Sequence, residues 1–255
     1  DGQPLSLRDA CTPGARVHYF RDVPNEEPIP FQETVLYQDE HLLVVDKPHF
    51  LPVVPSGRHL RETLLVRLRE RLKLPHLSPV HRIDRDTAGL VMFSVNPVTR
   101  NAYHALFRRR AVHKTYEALT RWNPDVPWVR EGSCLSLRHS SRIVPSTTHF
   151  MQMMEASDAH GSVANAETHI RVLSVAGDLA RLELQPLTGQ RHQLRVHLNA
   201  LGMPIEHDSI YPVLQPEGTS DFTRPLQLLA RSLSFADPVS GHARAFESAF
   251  ALQLK

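Results

Sequence analysis

The stretch "HRIDRDTAGL", which starts at His81, sets His81, Arg82, Asp84, Arg85 and Asp86 directly against the apolar run "AGLVMF". Asp84 lies between two arginines at the mouth of a strand-like segment. Neighbouring cations lower a carboxyl's pKa and keep it ionised. An ionised aspartate at the edge of a core can act as a nucleophile, or as an anion that stabilises a cationic intermediate. The alternative is an ion-paired aspartate that pins a turn. Asp86 with Thr87 reads as a turn cap, a side-chain oxygen accepting a nearby backbone N–H.

Two further segments carry chemistry-bearing residues. In "TGQRHQLRVHLNALG" (188–202) a helical reading puts Arg191 and Arg195 four apart on one face, with Arg195 bordering a stripe of Leu194, Leu198 and Leu201. A guanidinium half-buried beside leucines needs a carboxylate or backbone carbonyls, and Asp84 is a partner of the right charge. In "HKTYEAL" (113–119) a period of two places Lys114, Tyr116 and Ala118 on one face. The Tyr116 ring either half-buries in the sheet or stacks on a nucleobase, an interaction worth about 1–3 kcal/mol per base. Basic residues cluster at Arg67, Arg69, Arg71 and Lys73, and again at Arg108, Arg109, Arg110 and Lys114. They are either ordinary solvated faces or the footprint of a polyanion such as RNA, whose phosphates dominate affinity.

The elements that would hold these residues can be read from periodicity. "ETVLYQDEHLLVVDKP" gives strand, acidic turn and apolar strand, followed by a Pro-rich loop through 57. Leucines at 60, 64, 68 and 72 predict an amphipathic helix over 61–72 that ends before Pro75. A strand follows at 89–95, then a helix to about 109, capped by Asn96 with Pro97 in its first turn. "AVHKTYEALT" alternates as a strand, and 166–187 as a β-hairpin about "AGD". Thr188 is placed to cap a helix that stops at Gly202. Two last strands fall in "LQLLARSLSF" and "RAFESAFAL". Residues 121–165 are the least patterned; strands and an exposed loop near 155–162 are expected there, and no role is assigned to 134–165. One short strand is expected in "RVHYFRD". Strands and helices interleave without a regular rhythm, which indicates an α+β fold rather than a doubly wound sheet.

Composition narrows the partners. Of 255 residues 41% are hydrophobic, ordinary for a packed globular chain, and no apolar stretch is long enough to span a membrane. The first residues have neither a basic start nor an apolar core, so no signal peptide is expected, and the Asp1 start leads to the expectation of an upstream portion. Cys11 and Cys134 are too few for a disulfide framework or zinc cage, which suggests the cytoplasm. Lys and Arg number 29 against 27 acids, so clustering matters more than net charge. The 16 histidines are scattered. None shows His-x-x-x-His or paired-Cys spacing with a carboxylate at ligand distance, so no metal is expected.

Taken together, "HRIDRDTAGLVMFS", "KTYEAL" and "LTGQRHQLRVHLNALGMPI" resemble, in order and spacing, the three motifs of the RluA-type pseudouridine synthases. The likeness covers about 33–250. It implies an α+β fold, a mixed and largely antiparallel central sheet with flanking helices, and isomerisation of uridine to pseudouridine in ribosomal or transfer RNA. It implies no cofactor, no metal, RNA as partner and a monomer. Carried over, Asp84 is the catalytic aspartate, Tyr116 the ring against the target base, and Arg195 the partner of Asp84. His81 and Arg82 would shape the aspartate loop or meet phosphate. Arg85, Thr87, Lys114, Gln190, Arg191 and Gln193 would complete the RNA- and substrate-binding set. Residues 1–33 resemble the tail of a small RNA-binding module, leaving 34–255 as the catalytic domain. Ala88, Leu229 and His207 stand where the family usually has Ser, His and Gly, and Arg191-His192 where Thr or Ser is common. None of the three catalytic positions is affected.

Two rivals remain on sequence grounds. A catalytically inactive RNA-binding protein could use the same fold, but would have no need of Asp84, Tyr116 and Arg195 together. "VHRIDRD" is similar to a protein-kinase catalytic loop, but no glycine-rich phosphate loop and no Asp-Phe-Gly accompany it.

Overall fold

The computed structural model describes residues 4, 6, 8–10, 13–17, 26–57, 59–156, 163–216 and 221–253. In chain order its elements are β1 (Thr34–Gln38), β2 (Leu42–Lys47), α1 (Leu64–Leu72), β3 (Ser78–Pro79), β4 (Ala88–Ser94), α2 (Arg100–Arg108), β5 (His113–Arg121), β6 (Val129–Glu131), β7 (Cys134–Ser141), β8 (Ile143–Pro145), β9 (Met153–Glu155), β10 (Ala166–Ala176), β11 (Leu179–Pro186), α3 (Gln193–Ala200), β12 (Leu228–Ala236) and β13 (Ala243–Glu247). One large sheet runs β1-β2-β4-β12-β5-β11-β10-β7-β6, with β13 on β12 and β3 on β4; β8 and β9 form a separate pair. The α+β reading, with a mixed and largely antiparallel sheet, holds: β4 and β12 pair in parallel, and their neighbours pair antiparallel.

The runs that lack alternation are the ones the sheet covers on both faces. Every residue of β2 and of β4 is buried. On one face α1 packs Leu64 and Leu68 against Val45 and Phe93. On the other, Tyr103 of α2 meets Leu90, Met92 and Leu233. In the second half of the sheet, Leu194 and Leu198 of α3 pack with Ala118, Leu182 and Leu184. The two halves meet where β4 lies parallel to β12.

That seam depends on a missing side chain. Gly89 has φ +108°, and a Cβ there would lie 2.3 Å from the Ala230 carbonyl oxygen. Glycine alone permits both the backbone angle and the approach.

Helix starts depart from the sequence expectation. Helix α1 begins at Leu64 rather than near 61, because Thr63 is extended and its Oγ1 accepts the Val66 N–H. Asn96 does not cap α2; its Oδ1 accepts the Val98 N–H in a turn before the helix. Thr188 does not cap α3, which starts only after His192 in a left-handed conformation. Its hydroxyl instead accepts the Glu167 N–H and donates to the Gln193 Oε1, tying hairpin to helix. Helix α1 is not a free basic face either. Arg67 pairs with Glu33 and Glu62 and donates to the carbonyls of Ile29 and Phe31, Arg71 pairs with Glu33, and Arg69 donates to the Leu77 carbonyl. These contacts fasten residues 26–33 to the sheet domain, with Ile29 in its core. Most of the strand expected at 16–22, and the loop near 155–162, fall outside the described residues.

Gly89→Ala is expected to cost at least about 2 kcal/mol in chemical denaturation, since it adds backbone strain to a clash. Gly177→Ala, in a hairpin turn where a Cβ would meet nothing within 4 Å, should cost only about 1 kcal/mol. Equal losses in the two variants would remove the close approach as the cause.

Candidate active site

Asp84 sits on the loop between β3 and β4, at the floor of a cleft of about 1350 Å³ that also takes in Tyr116 and Arg195. The loop is held from below. The buried Lys47 at the end of β2 donates through Nζ to the carbonyls of Arg85 and Pro48, each at 2.9 Å. His49 Nδ1 lies 2.6 Å from the Asp86 carbonyl oxygen. Burial pushes Lys47 down to about 7, against the pull of Asp86 and Asp84. A neutral amine still carries two N–H groups, so this anchor does not depend on its charge.

Arg195 reaches Asp84 from α3, Nη1 to Oδ2 at 3.0 Å. Its stronger partner is one that sequence reasoning missed. Asp208, on the loop after α3, takes Nε at 2.8 Å and Nη2 at 2.6 Å in a two-pronged pair. Oδ1 of Asp208 also accepts the N–H groups of Ile210 and Tyr211. The Asp208 side chain is 0% exposed and Arg195 2%, whereas Asp84 keeps 29% open to the cleft. Only Asp84 of the two carboxylates can therefore meet a ligand. Asp208 fixes the guanidinium; Asp84 uses what remains of its charge.

Burial by itself would raise the Asp84 pKa, but Arg195 first, then His192 and Lys47, hold it below its ordinary value. The flanking Arg82 and Arg85 are not the cause expected from sequence. Arg82 is exposed, and Arg85 turns its Nε to Asp86 at 2.8 Å. Arg195 is likewise kept charged: burial opposes the charge, and the bonds to Asp208 outweigh it. The Tyr116 pKa is raised, by burial and then by the Asp84 anion, so at neutral pH it is an uncharged phenol. Its strand β5 lies between β12 and β11, with Ala230 and Leu184 opposite Tyr116.

The other expected residues divide. Lys114, Gln190, Arg191, Arg82, Arg85 and Thr87 all line the cleft. Arg191 does not share a helical face with Arg195; it precedes α3, is exposed, and donates to the Met151 carbonyl. Gln193 has its amide fully used by protein. Oε1 accepts from Thr188 and the Gln190 N–H, and Nε2 donates to the Glu167 carbonyl and Thr168. These bonds position α3, while Gln193 still lines the cleft. His81 stacks on Phe107 at 4.6 Å, and its Nε2 accepts the Met92 N–H. Burial pushes its pKa to about 3, so it is neutral and shapes the loop. His192, not singled out by its spacing, stands 3.9 Å from Asp84, with Nδ1 3.1 Å from the Tyr211 hydroxyl. Burial brings it to about 4. Exposed Arg82, Arg108, Arg110, Arg138 and Arg191 edge the cleft. They give it the positive field that a polyanion follows inward.

The cleft thus holds an ionised carboxylate, Asp84, near enough to Tyr116 to raise its pKa, within a basic rim. A family model described as RNA pseudouridylate synthase matches residues 41–200. The dual-specificity RNA pseudouridine synthase RluA of Salmonella typhi is 32% identical over 215 residues, covering 84% of this chain and 91% of that protein. Human pseudouridylate synthase RPUSD2 is 33% identical over 195 residues, covering 76% of this chain and 33% of that protein. A solved structure of human RNA pseudouridylate synthase domain containing 1 superposes with a TM-score of 0.67 over 89% of this chain and 86% of that one; at 24% identity this speaks to the fold. The chain belongs to the RluA-type RNA pseudouridine synthases, enzymes that isomerise uridine in RNA to pseudouridine. No described helix is long and apolar enough to cross a membrane.

Removing Asp208 leaves a buried guanidinium with one of its three carboxylate bonds. Asp208→Ala is expected to destabilise the fold by about 3–5 kcal/mol. Asp208→Asn should cost less and still lower turnover, because Arg195 is no longer held. Arg191→Ala, at the exposed rim, should stay within about 0.5 kcal/mol of the parent in denaturant melts. A fully stable and fully active Asp208→Ala would contradict this account.

Proposed function

We propose that Asp84 is the nucleophile of this pseudouridine synthase, that Arg195 holds it placed and ionised, and that Tyr116 is the surface on which the detached base turns. What carries the proposal is the shared cation: Arg195 is clamped by sealed Asp208 and offers its remaining nitrogen to cleft-facing Asp84. A carboxylate oxygen attacks ribose C1′ as the N1–C1′ bond breaks, and the electron pair leaves with uracil. The base rotates against Tyr116, and its C5 attacks C1′ and displaces the carboxylate. C5 then loses its proton and N1 gains one. Atoms balance within the nucleotide, and Asp84 ends as it began.

The base has to leave its stack to reach the floor of the cleft, at a cost of a few kcal/mol. Phosphate contacts from the rim arginines offset that cost. This favours a uridine in an exposed loop of structured RNA, ribosomal or transfer, as substrate. We assign catalysis to 34–255 and read the leading segment as the remnant of a small RNA-binding module, in a monomeric cytoplasmic protein. A catalytically inactive binder on this fold is disfavoured by the survival of all three catalytic positions in one cleft.

RNA from cells with and without the protein, mapped for pseudouridine by carbodiimide chemistry, should differ at one or a few uridines. Purified Asp84→Asn should bind that RNA within about twofold of the parent yet form no product. Tyr116→Phe should bind equally and turn over on the order of a hundredfold more slowly, the scale expected when the hydroxyl relays the proton that C5 loses. Product from Asp84→Asn would take the nucleophile's role away from Asp84, and unchanged turnover in Tyr116→Phe would show its hydroxyl to be idle.

A further inference from the structure

The segment 134–165 has no part in the cleft's floor, yet it brings three metal-ligating side chains together beside α3. His139 comes from β7, Glu155 from the end of β9, and His197 from the middle of α3. One ligand atom from each lies within 4.8 Å of the others. His139 Nε2 stands 2.7 Å from Glu155 Oε1, and His197 Nε2 4.0 Å from the same oxygen. The two imidazoles meet edge to face, centroids 4.7 Å apart. We propose that His139, Glu155 and His197 form a binding site for a divalent transition metal of the zinc class, which fastens the β8–β9 hairpin to the helix that carries Arg195.

The donor set suits such an ion. Two imidazoles and a carboxylate bind Zn²⁺ at about 2.0–2.2 Å, which for tetrahedral geometry separates ligand atoms by about 3.3 Å. The observed 2.7 and 4.0 Å from Glu155 to the two imidazoles straddle that value, and with all three ligand atoms within 4.8 Å of one another small side-chain adjustments would close the set around an ion. Ser141 Oγ, 3.1 Å from His197 Nε2, or water would take the fourth position.

The surroundings are arranged as ligand supports are. His197 is fully buried, and its Nδ1 lies 2.9 Å from the Thr168 hydroxyl. That hydroxyl is fixed in turn by the Gln193 amide. With the proton on Nδ1 donated to Thr168, Nε2 is left with a free lone pair on the side of Ser141 and Glu155. A hydrogen bond of this kind on the far nitrogen is what orients a ligating histidine. His139 and Glu155 keep 20% and 24% of their side chains open, which leaves a path for the ion to enter. Sequence spacing carries no hint of this site because its ligands come from three separate elements.

The position gives the metal a structural consequence. Two residues before Glu155, the backbone of Met153 is bound to the Tyr211 hydroxyl, and Tyr211 lies under the Arg195 guanidinium at 5.4 Å. Anchoring β9 to α3 would therefore brace the wall behind Arg195.

The test uses the full chain, stripped with a chelator and titrated with zinc chloride against a chromophoric competitor that masks weak binding by scattered surface histidines. One equivalent should bind and raise Tm. Glu155→Gln keeps the shape and an acceptor for His139, so it should fold with the same Tm in chelator. Its zinc affinity should fall at least about tenfold, as should that of His139→Asn. Cobalt in place of zinc should give the visible absorption of a four-coordinate ion in the parent alone. Failure to bind one equivalent, or equal affinity in both variants, would overturn the proposal.

Discussion

A single buried guanidinium sets the terms for the rest of this molecule. Arg195 is shared between two carboxylates, one sealed and one open. Removing either carboxylate's water is expensive, and the attraction to a well-placed cation, with backbone N–H groups around Asp208, offsets the loss. The division of labour follows from burial. Asp208 takes two of the three guanidinium nitrogens and gives the cation a fixed place. Asp84 takes the third, remains ionised, and still faces the cleft, so its charge state is a property of the trio.

The fold can be understood as what brings that trio together from three distant parts of the chain. Asp84 precedes β4, Arg195 lies on α3, and Asp208 follows it. Helix α3 packs on the β5–β11 half of the sheet, while the Asp84 loop is mounted on the β2–β4 half. Within the sheet the halves join at the parallel seam of β4 and β12, closed tightly because Gly89 has no side chain to hold Ala230 away. Lys47 and His49 then fix the loop's carbonyls from beneath. A charged row can therefore sit against "AGLVMF": the strand is the rigid mount, and the charges face the cleft or find partners.

Much of this is legible in residue type and spacing. The strand runs, the 166–187 hairpin and the pairing of Asp84 with Arg195 can be read because each has a local pattern or a charge that demands a partner; the place of Tyr116 beside them follows from the family resemblance. Asp208 does not stand out as part of the site, although "IEHDSIYP" sets an acid among apolar residues. A lone buried aspartate announces a partner without naming it. The cause of Asp84's low pKa is hidden for a related reason: adjacency in sequence favours Arg82 and Arg85, but neighbours in a loop point apart, and the nearest cation comes from 111 residues away. Arg67 and Arg71 look like a basic face in sequence because the acids that engage them, Glu33 and Glu62, lie outside their helix. Helix starts shift by a few residues where local caps compete with the apolar period.

The direct measurement is a carbon-13 NMR titration of the Asp84 carboxyl, assigned by its loss in Asp84→Asn. The account predicts an anion that does not protonate down to about pH 4, its ordinary carboxyl range, and a midpoint that moves upward in Arg195→Met, where burial acts unopposed. A midpoint above about pH 4 in the parent, or one that Arg195→Met leaves in place, would show that the guanidinium does not hold Asp84 ionised.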